Sequence, residues 1–122
     1  MDALNVMRPG LGEPPVDLDV LGDTVNDVLG AWLTPSDRVR VSSLTRKAIG
    51  ALELLLGEDL GFDDDPLVRG LYREAYGLLD LSRRPGPDTS LRNAYQYMRS
   101  LGEIAERLAA VCRARRLERS LR

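Results

Sequence analysis

The residues of this chain that could take part in chemistry are carboxylates and arginines, grouped in three places. Asp19, Asp23 and Asp27 stand four residues apart, a spacing that puts three carboxylates on one face of a helix. Residues 58–65 hold five more carboxylates. Near the C-terminus lie Arg113, Arg115, Arg116, Arg119 and Arg122. These groups could bind an oppositely charged partner, hold a cation or pair with one another.

The acidic stripe is unfavourable when isolated, because like charges four residues apart on a helix repel by roughly 0.2–0.5 kcal/mol per pair. We therefore predict that Asp19, Asp23 and Asp27 pair with arginines of this chain or of another chain. A solvated face is the alternative, since exposed ion pairs contribute little.

The C-terminal arginines are candidates for binding a polyanion such as nucleic acid. Three observations argue against nucleic acid: the set includes Glu118 and lacks interleaved aromatic residues, and the pI is about 5.2. Cations also interact favourably with the negative end of a helix. We predict that Arg113, Arg115, Arg116 and Arg119 contact a protein partner or the acidic part of this chain.

The carboxylates of the segment 58–65 could supply oxygen ligands to Ca²⁺ or Mg²⁺. They lack the alternating positions, the turn glycine and the final glutamate of an EF-hand loop. Capping by Asp65, with Asp63 and Asp64 near a positive helix end, accounts for most of the cluster. We expect no metal and no other cofactor.

Histidine is absent from the 122 residues, which excludes Ser-His and Cys-His nucleophile pairs and histidine metal sites. The single cysteine, Cys112, falls on an apolar helical stripe, and we predict that it packs in the core. An enzyme built on carboxylates, tyrosines or Lys47 is the remaining catalytic possibility. We expect no enzymatic activity.

The charge is divided unevenly along the chain. Residues 1–80 carry 15 acidic and 7 basic residues, whereas residues 81–122 carry 4 acidic and 10 basic residues. The formal net charge of −2 therefore hides an acidic N-terminal part and a basic C-terminal part. Either the basic part binds an acidic partner, or it folds against the acidic part of the same chain.

Four segments show apolar residues at steps of three and four, the pattern of helices with one buried face. The first runs from Asp17 to about Leu33, and the second from Pro35 to about Gly57. The third runs from Pro66 to about Leu81, and the fourth begins near Leu91 after a possible cap. The candidates for that cap are Asp88, Thr89 and Ser90.

These segments predict an all-α protein, a mainly antiparallel four-helix bundle over residues 16–122. Residues 1–15 are rich in proline and glycine and are expected to form a short arm. Nothing in the sequence resembles a secretion signal or a membrane span, and we expect a cytoplasmic protein.

The stretch LTRKAIGALELLLGEDLGFDDDPLVRGLYREAYGLLDL, followed after a loop by a helix ending in LAAVCRARR, resembles a family of small actinobacterial helical proteins. That family has no characterised function and is commonly labelled as natural-product biosynthesis proteins. The resemblance covers about residues 17–115. It implies an accessory or regulatory role near biosynthetic genes and supplies no catalytic residues.

The residues together favour a non-enzymatic interaction protein, either a homodimer or part of a hetero-complex. The alternative is a small regulator that binds nucleic acid through the C-terminal arginines, or a ligand through Arg83, Arg84 and the tyrosines of helices 3 and 4. Those tyrosines are Tyr72, Tyr76, Tyr95 and Tyr97.

Overall fold

A computed structural model of the chain describes residues 16–30, 38–61 and 63–121, and these residues form four α-helices and no strand. The helices are α1 (Leu18–Gly30), α2 (Arg38–Leu56), α3 (Pro66–Leu79) and α4 (Leu91–Ser120). The predicted all-α bundle is confirmed. The predicted arm at residues 1–15, the end of the first helix and the start of the second lie outside the described residues.

Two helix starts use the capping residues expected from the sequence. The Asp65 side chain accepts a hydrogen bond from the Leu67 amide at 2.9 Å, and Pro66 is the first helical residue of α3. At the start of α4, the Ser90 hydroxyl oxygen accepts from the Asn93 amide at 3.1 Å. Each cap satisfies an amide that the helix itself leaves without a partner.

The third helix ends earlier than predicted, at Leu79 rather than Leu81. Asp80 leaves the helical conformation, and its carboxylate accepts hydrogen bonds from the amide and hydroxyl of Ser82 at 2.9 and 2.7 Å. These bonds lower the pKa of the exposed Asp80 and begin a 3₁₀ turn at Leu81–Arg83. A local side-chain bond therefore competes successfully with continuation of the helix.

Helix α4 is the centre of the bundle and packs against the three other helices, whereas α1 and α3, over their described residues, do not touch each other. The start of α1 lies at the end of α4, where Arg116 donates to the Val16 carbonyl at 2.7 Å. The end of α1 lies near the start of α4, where Arg99 donates to the Leu29 carbonyl at 3.1 Å. Helix α1 is therefore antiparallel to α4.

Helix α2 runs in the same direction as α4. Thr45 lies beside Ala94 near the start of α4, and Glu58, just beyond α2, meets Arg116 near its end. Helices α2 and α4 thus form the parallel pair of an otherwise antiparallel bundle.

The core consists of the stripes predicted from the apolar spacing, and Cys112 is buried within it as expected. Leu91 is the exception, because 37% of its surface is exposed. It is the first residue of α4 and borders a groove rather than a neighbouring helix. It continues the apolar repeat of α4, but none of the described helices covers it.

Helices α1 and α4 approach each other closely at Gly102, which lies in α4 against Val28 and Leu29 of α1. A β-carbon built at Gly102 would lie 2.7 Å from Val28 Cγ1 and 3.0 Å from Leu29 Cδ2. Both distances are shorter than ordinary carbon contacts, and Val28 is completely buried. A larger residue at this position would therefore force the two helices apart.

We predict that Gly102→Ala lowers the free energy of unfolding by about 1–2 kcal/mol, because overpacking outweighs the gain of about 1 kcal/mol in helix propensity. Gly70→Ala is the matched control, since a β-carbon at Gly70 would have no neighbour within 4 Å. That control should raise stability by roughly 0.5–1 kcal/mol. Urea unfolding of both variants measures the difference, and a Gly102→Ala protein as stable as the control would contradict the close contact.

Candidate functional site

Three arginines near the C-terminus contact the segment that joins α2 to α3, an arrangement that we name the arginine clasp (Arg115, Arg116 and Arg119). Arg116 reaches furthest, because its Nη2 atom donates to the Val16 carbonyl at 2.7 Å and lies 3.5 Å from Glu58 Oε1. Arg119 donates to the Asp59 carbonyl at 3.3 Å. The clasp therefore holds the ends of α1, α2 and α4 together.

Arg115 completes the clasp by lying flat on Gly61. Gly61 has a φ of +86°, which favours glycine. A β-carbon there would fall 1.8 Å from Arg115 Nη2, so the guanidinium occupies the space that any other residue would need. The positive φ requires glycine at this position, and the absence of a side chain lets the Arg115 guanidinium lie against the turn.

Arg113, the fourth predicted arginine, points toward α1, with Nη2 3.6 Å from the position of a β-carbon on Gly22. All four arginines predicted to bind a partner thus lie against other segments of this chain. Their use by an external partner stays a prediction, but three of them already donate to, or cover, the backbone of their own chain.

The acidic stripe has a different setting, because Asp19, Asp23 and Asp27 are all exposed. None of them forms an ion pair with another described residue. Asp27 borders a shallow depression that also contains Arg40 and Lys47 of α2. Pairing of the stripe within the described chain is therefore not found, and pairing across an interface between chains stays a prediction.

The same side of the bundle carries exposed apolar residues that are not among the residues predicted to bind a partner. Val20 of α1 is 59% exposed and Leu54 of α2 is 58% exposed. They border a hollow of about 640 Å³ with Gly50, where a β-carbon would have no neighbour within 4 Å. We name this surface the α1–α2 face, comprising Val20, Thr24, Asp27, Lys47, Gly50, Glu53 and Leu54. In the sequence, the only sign of this surface is that Val20 and Leu54 are apolar residues outside the apolar stripes that predict the buried faces.

Two of the four tyrosines, Tyr72 and Tyr97, use their hydroxyl groups within the fold, and a ligand cavity built on the tyrosines stays a prediction. The Tyr72 hydroxyl donates to the Glu58 carbonyl at 2.9 Å, and the Tyr97 hydroxyl donates to the Leu78 carbonyl. Burial raises the pKa of both side chains. Tyr76 is exposed, and the buried Tyr95 hydroxyl has no hydrogen-bond partner. Tyr72 and Tyr97 therefore join loops and helix ends to the core.

Cys112 is a packing residue in this setting. It is almost completely buried, and its Sγ atom lies 4.0 Å from Glu58 Oε1. Burial raises the pKa of the thiol, which disfavours the reactive thiolate.

A second concave surface lies between the first half of α2 and the loop before α4. This groove has a volume of about 660 Å³ and is bordered by three arginines, Arg38, Arg46 and Arg84. Only Arg84 was considered from the sequence. The other two are brought to the groove by the parallel arrangement of α2 and α4, which helical spacing alone does not predict.

Across the described residues, no group of three or more carboxylate or thiol side chains is arranged to hold a metal ion. In the same part of the chain, no helix combines the length and apolar character needed to cross a bilayer. The carboxylates of the α2–α3 connector act locally instead: Asp65 caps α3, and Asp59 accepts from the Gly61 amide at 3.4 Å.

Comparison with protein-family models, curated proteins and solved structures found no match to this chain.

We predict that Arg116→Ala lowers the free energy of unfolding by about 1–2 kcal/mol, because the Val16 carbonyl and the part-buried Glu58 both lose a charged partner. Arg107→Ala is the matched control, since Arg107 is exposed on the same helix and its loss should change stability by less than about 0.5 kcal/mol. Urea unfolding compares the two. Equal stability of both variants would show that the clasp adds nothing to the fold.

Proposed function

We propose that this chain is a non-enzymatic helical interaction protein that acts as a homodimer through the α1–α2 face. The observation that carries the proposal is the pair of exposed apolar side chains, Val20 and Leu54, beside the open hollow at Gly50. Exposed apolar residues around a hollow, rimmed by charge, are typical of a protein interface.

The charges of the two helices favour a second copy as the partner. Helix α1 carries three exposed acidic residues and no basic one. On the α2 side, Lys47 lies beside Asp27, whereas Arg38 and Arg46 of α2 border the separate groove. The two helices are neighbours in the bundle. A two-fold axis through the face would place Asp27 of each copy opposite Lys47 of the other. The surface is therefore complementary to itself.

The position of the C-terminal arginines supports a protein partner over nucleic acid. Arg116 and Arg119 donate to carbonyl groups of their own chain, and Arg115 covers Gly61. Contacts with phosphates would have to replace these bonds. The sequence resemblance implies an accessory role near biosynthetic genes. We therefore propose that the dimer is a cytoplasmic accessory protein of natural-product biosynthesis rather than a catalyst.

Sedimentation velocity tests the proposed homodimer. We expect the wild-type protein to sediment as a dimer and Leu54→Asp to weaken association at least about thirtyfold, because burying an unpaired carboxylate costs about 2 kcal/mol or more. Leu67→Asp is the matched control: Leu67 is an exposed leucine on α3, away from the face, and its replacement should leave the dimer intact.

A wild-type protein that remains monomeric at every concentration would contradict the homodimer. So would a Leu54→Asp protein that associates as strongly as the Leu67→Asp control. Unfolding curves of both variants show that the comparison is made between folded proteins.

A further inference from the structure

The groove at the other end of α2 has an apolar interior and a positively charged rim. Its interior surface includes Val41, Ile49 and Ala94, and Pro85 and Pro87 form a rigid wall. Its volume of about 660 Å³ lies within the usual range of small-molecule sites. The groove is therefore large enough for an organic molecule rather than for a few waters alone.

One of the three arginines on the rim, Arg84, is held in place by its own chain. Arg84 donates from Nε and Nη2 to the Leu79 carbonyl at 3.1 and 2.9 Å. Arg46 lies 3.5 Å from the Ser42 hydroxyl. Fixed guanidinium groups lose less freedom when they bind a carboxylate or phosphate. Among the described residues that line the groove, none is acidic.

Thr45 borders the groove and carries a hydroxyl group that the fold leaves unused. Thr45 is only 9% exposed, and its buried hydroxyl oxygen has no hydrogen-bond partner among the described residues. Buried hydroxyl groups without partners are uncommon in folded proteins. A ligand in the groove would reach this hydroxyl group only if the Thr45 side chain turned toward it.

We propose that this groove binds a small organic anion with an apolar body, such as a carboxylic acid with a medium-length acyl chain. The apolar body lies against Val41, Ile49 and Ala94, and the anionic group meets the arginines on the rim. The site lies apart from the α1–α2 face and does not depend on the proposed homodimer.

Fluorescence titration with 8-anilinonaphthalene-1-sulfonate tests the site, because this probe has an apolar body and one negative charge. N-phenyl-1-naphthylamine has the same aromatic body without the charge. We expect saturable binding of one sulfonate probe per chain, binding of the neutral probe at least tenfold weaker, and displacement of the sulfonate probe by decanoate.

A charge reversal on the rim of the groove, compared with a matched control elsewhere on the bundle, tests whether the probe binds in the groove. Arg46→Glu should weaken binding of the sulfonate probe at least tenfold, because it places a carboxylate on the rim. Arg107→Glu is the matched control, an equal charge change on an exposed part of α4, and should bind as the wild type does. Circular dichroism confirms that both variants are folded.

Equal binding by the two variants would overturn the proposal, as would equal affinity for the charged and neutral probes. A single-stranded oligonucleotide or polyglutamate that displaces the probe at lower concentrations than decanoate would also overturn it. That result would mark the groove as a surface for a polyanion instead.

Discussion

The fold depends on one constraint, which is that every other helix must bury its apolar face against α4. Helices α1 and α3 have no described contact with each other. If the packing of one of them against α4 is weakened, the other cannot stabilise it. Gly102 allows the closest of these approaches, since Val28 and Leu29 occupy the space beside its α-carbon. Helix α2 runs parallel to α4, which brings its first half beside the loop before α4 and forms the groove; the contact of α2 with α1 forms the α1–α2 face.

The uneven charge of the chain is used partly within the fold. The basic end of α4 contacts the acidic α2–α3 connector through Arg116 and Glu58, yet most bonds of the arginine clasp go to carbonyl groups rather than to carboxylates. The fold therefore neutralises little of the acidic half. The exposed stripe of α1 lies beside the basic α2, and this adjacent pair of opposite charges is the basis of the proposed self-association.

Features that depend on a single helix could be predicted from the sequence, whereas features that depend on how helices meet could not. Steps of three and four predicted the buried faces, Asp65 was recognisable as a cap, and Ser90 was one of three candidates for the cap of α4. The contact of Arg115 with Gly61 and the close approach at Gly102 involve residues far apart in the chain. Helical periodicity carries no information about such pairs, so the clasp, the exposed Val20–Leu54 surface and the groove emerged only from the structure.

A mixing experiment with charge-reversed chains tests the two-fold arrangement most directly. In the proposed dimer Asp27 of one copy faces Lys47 of the other, so Asp27→Lys puts two positive side chains at this contact and Lys47→Asp puts two negative side chains there. The account predicts that each variant alone sediments as a monomer, because like charges oppose each other across the axis, and that an equimolar mixture forms a heterodimer. A mixture that remains monomeric, or variants that each associate as the wild type does, would contradict it.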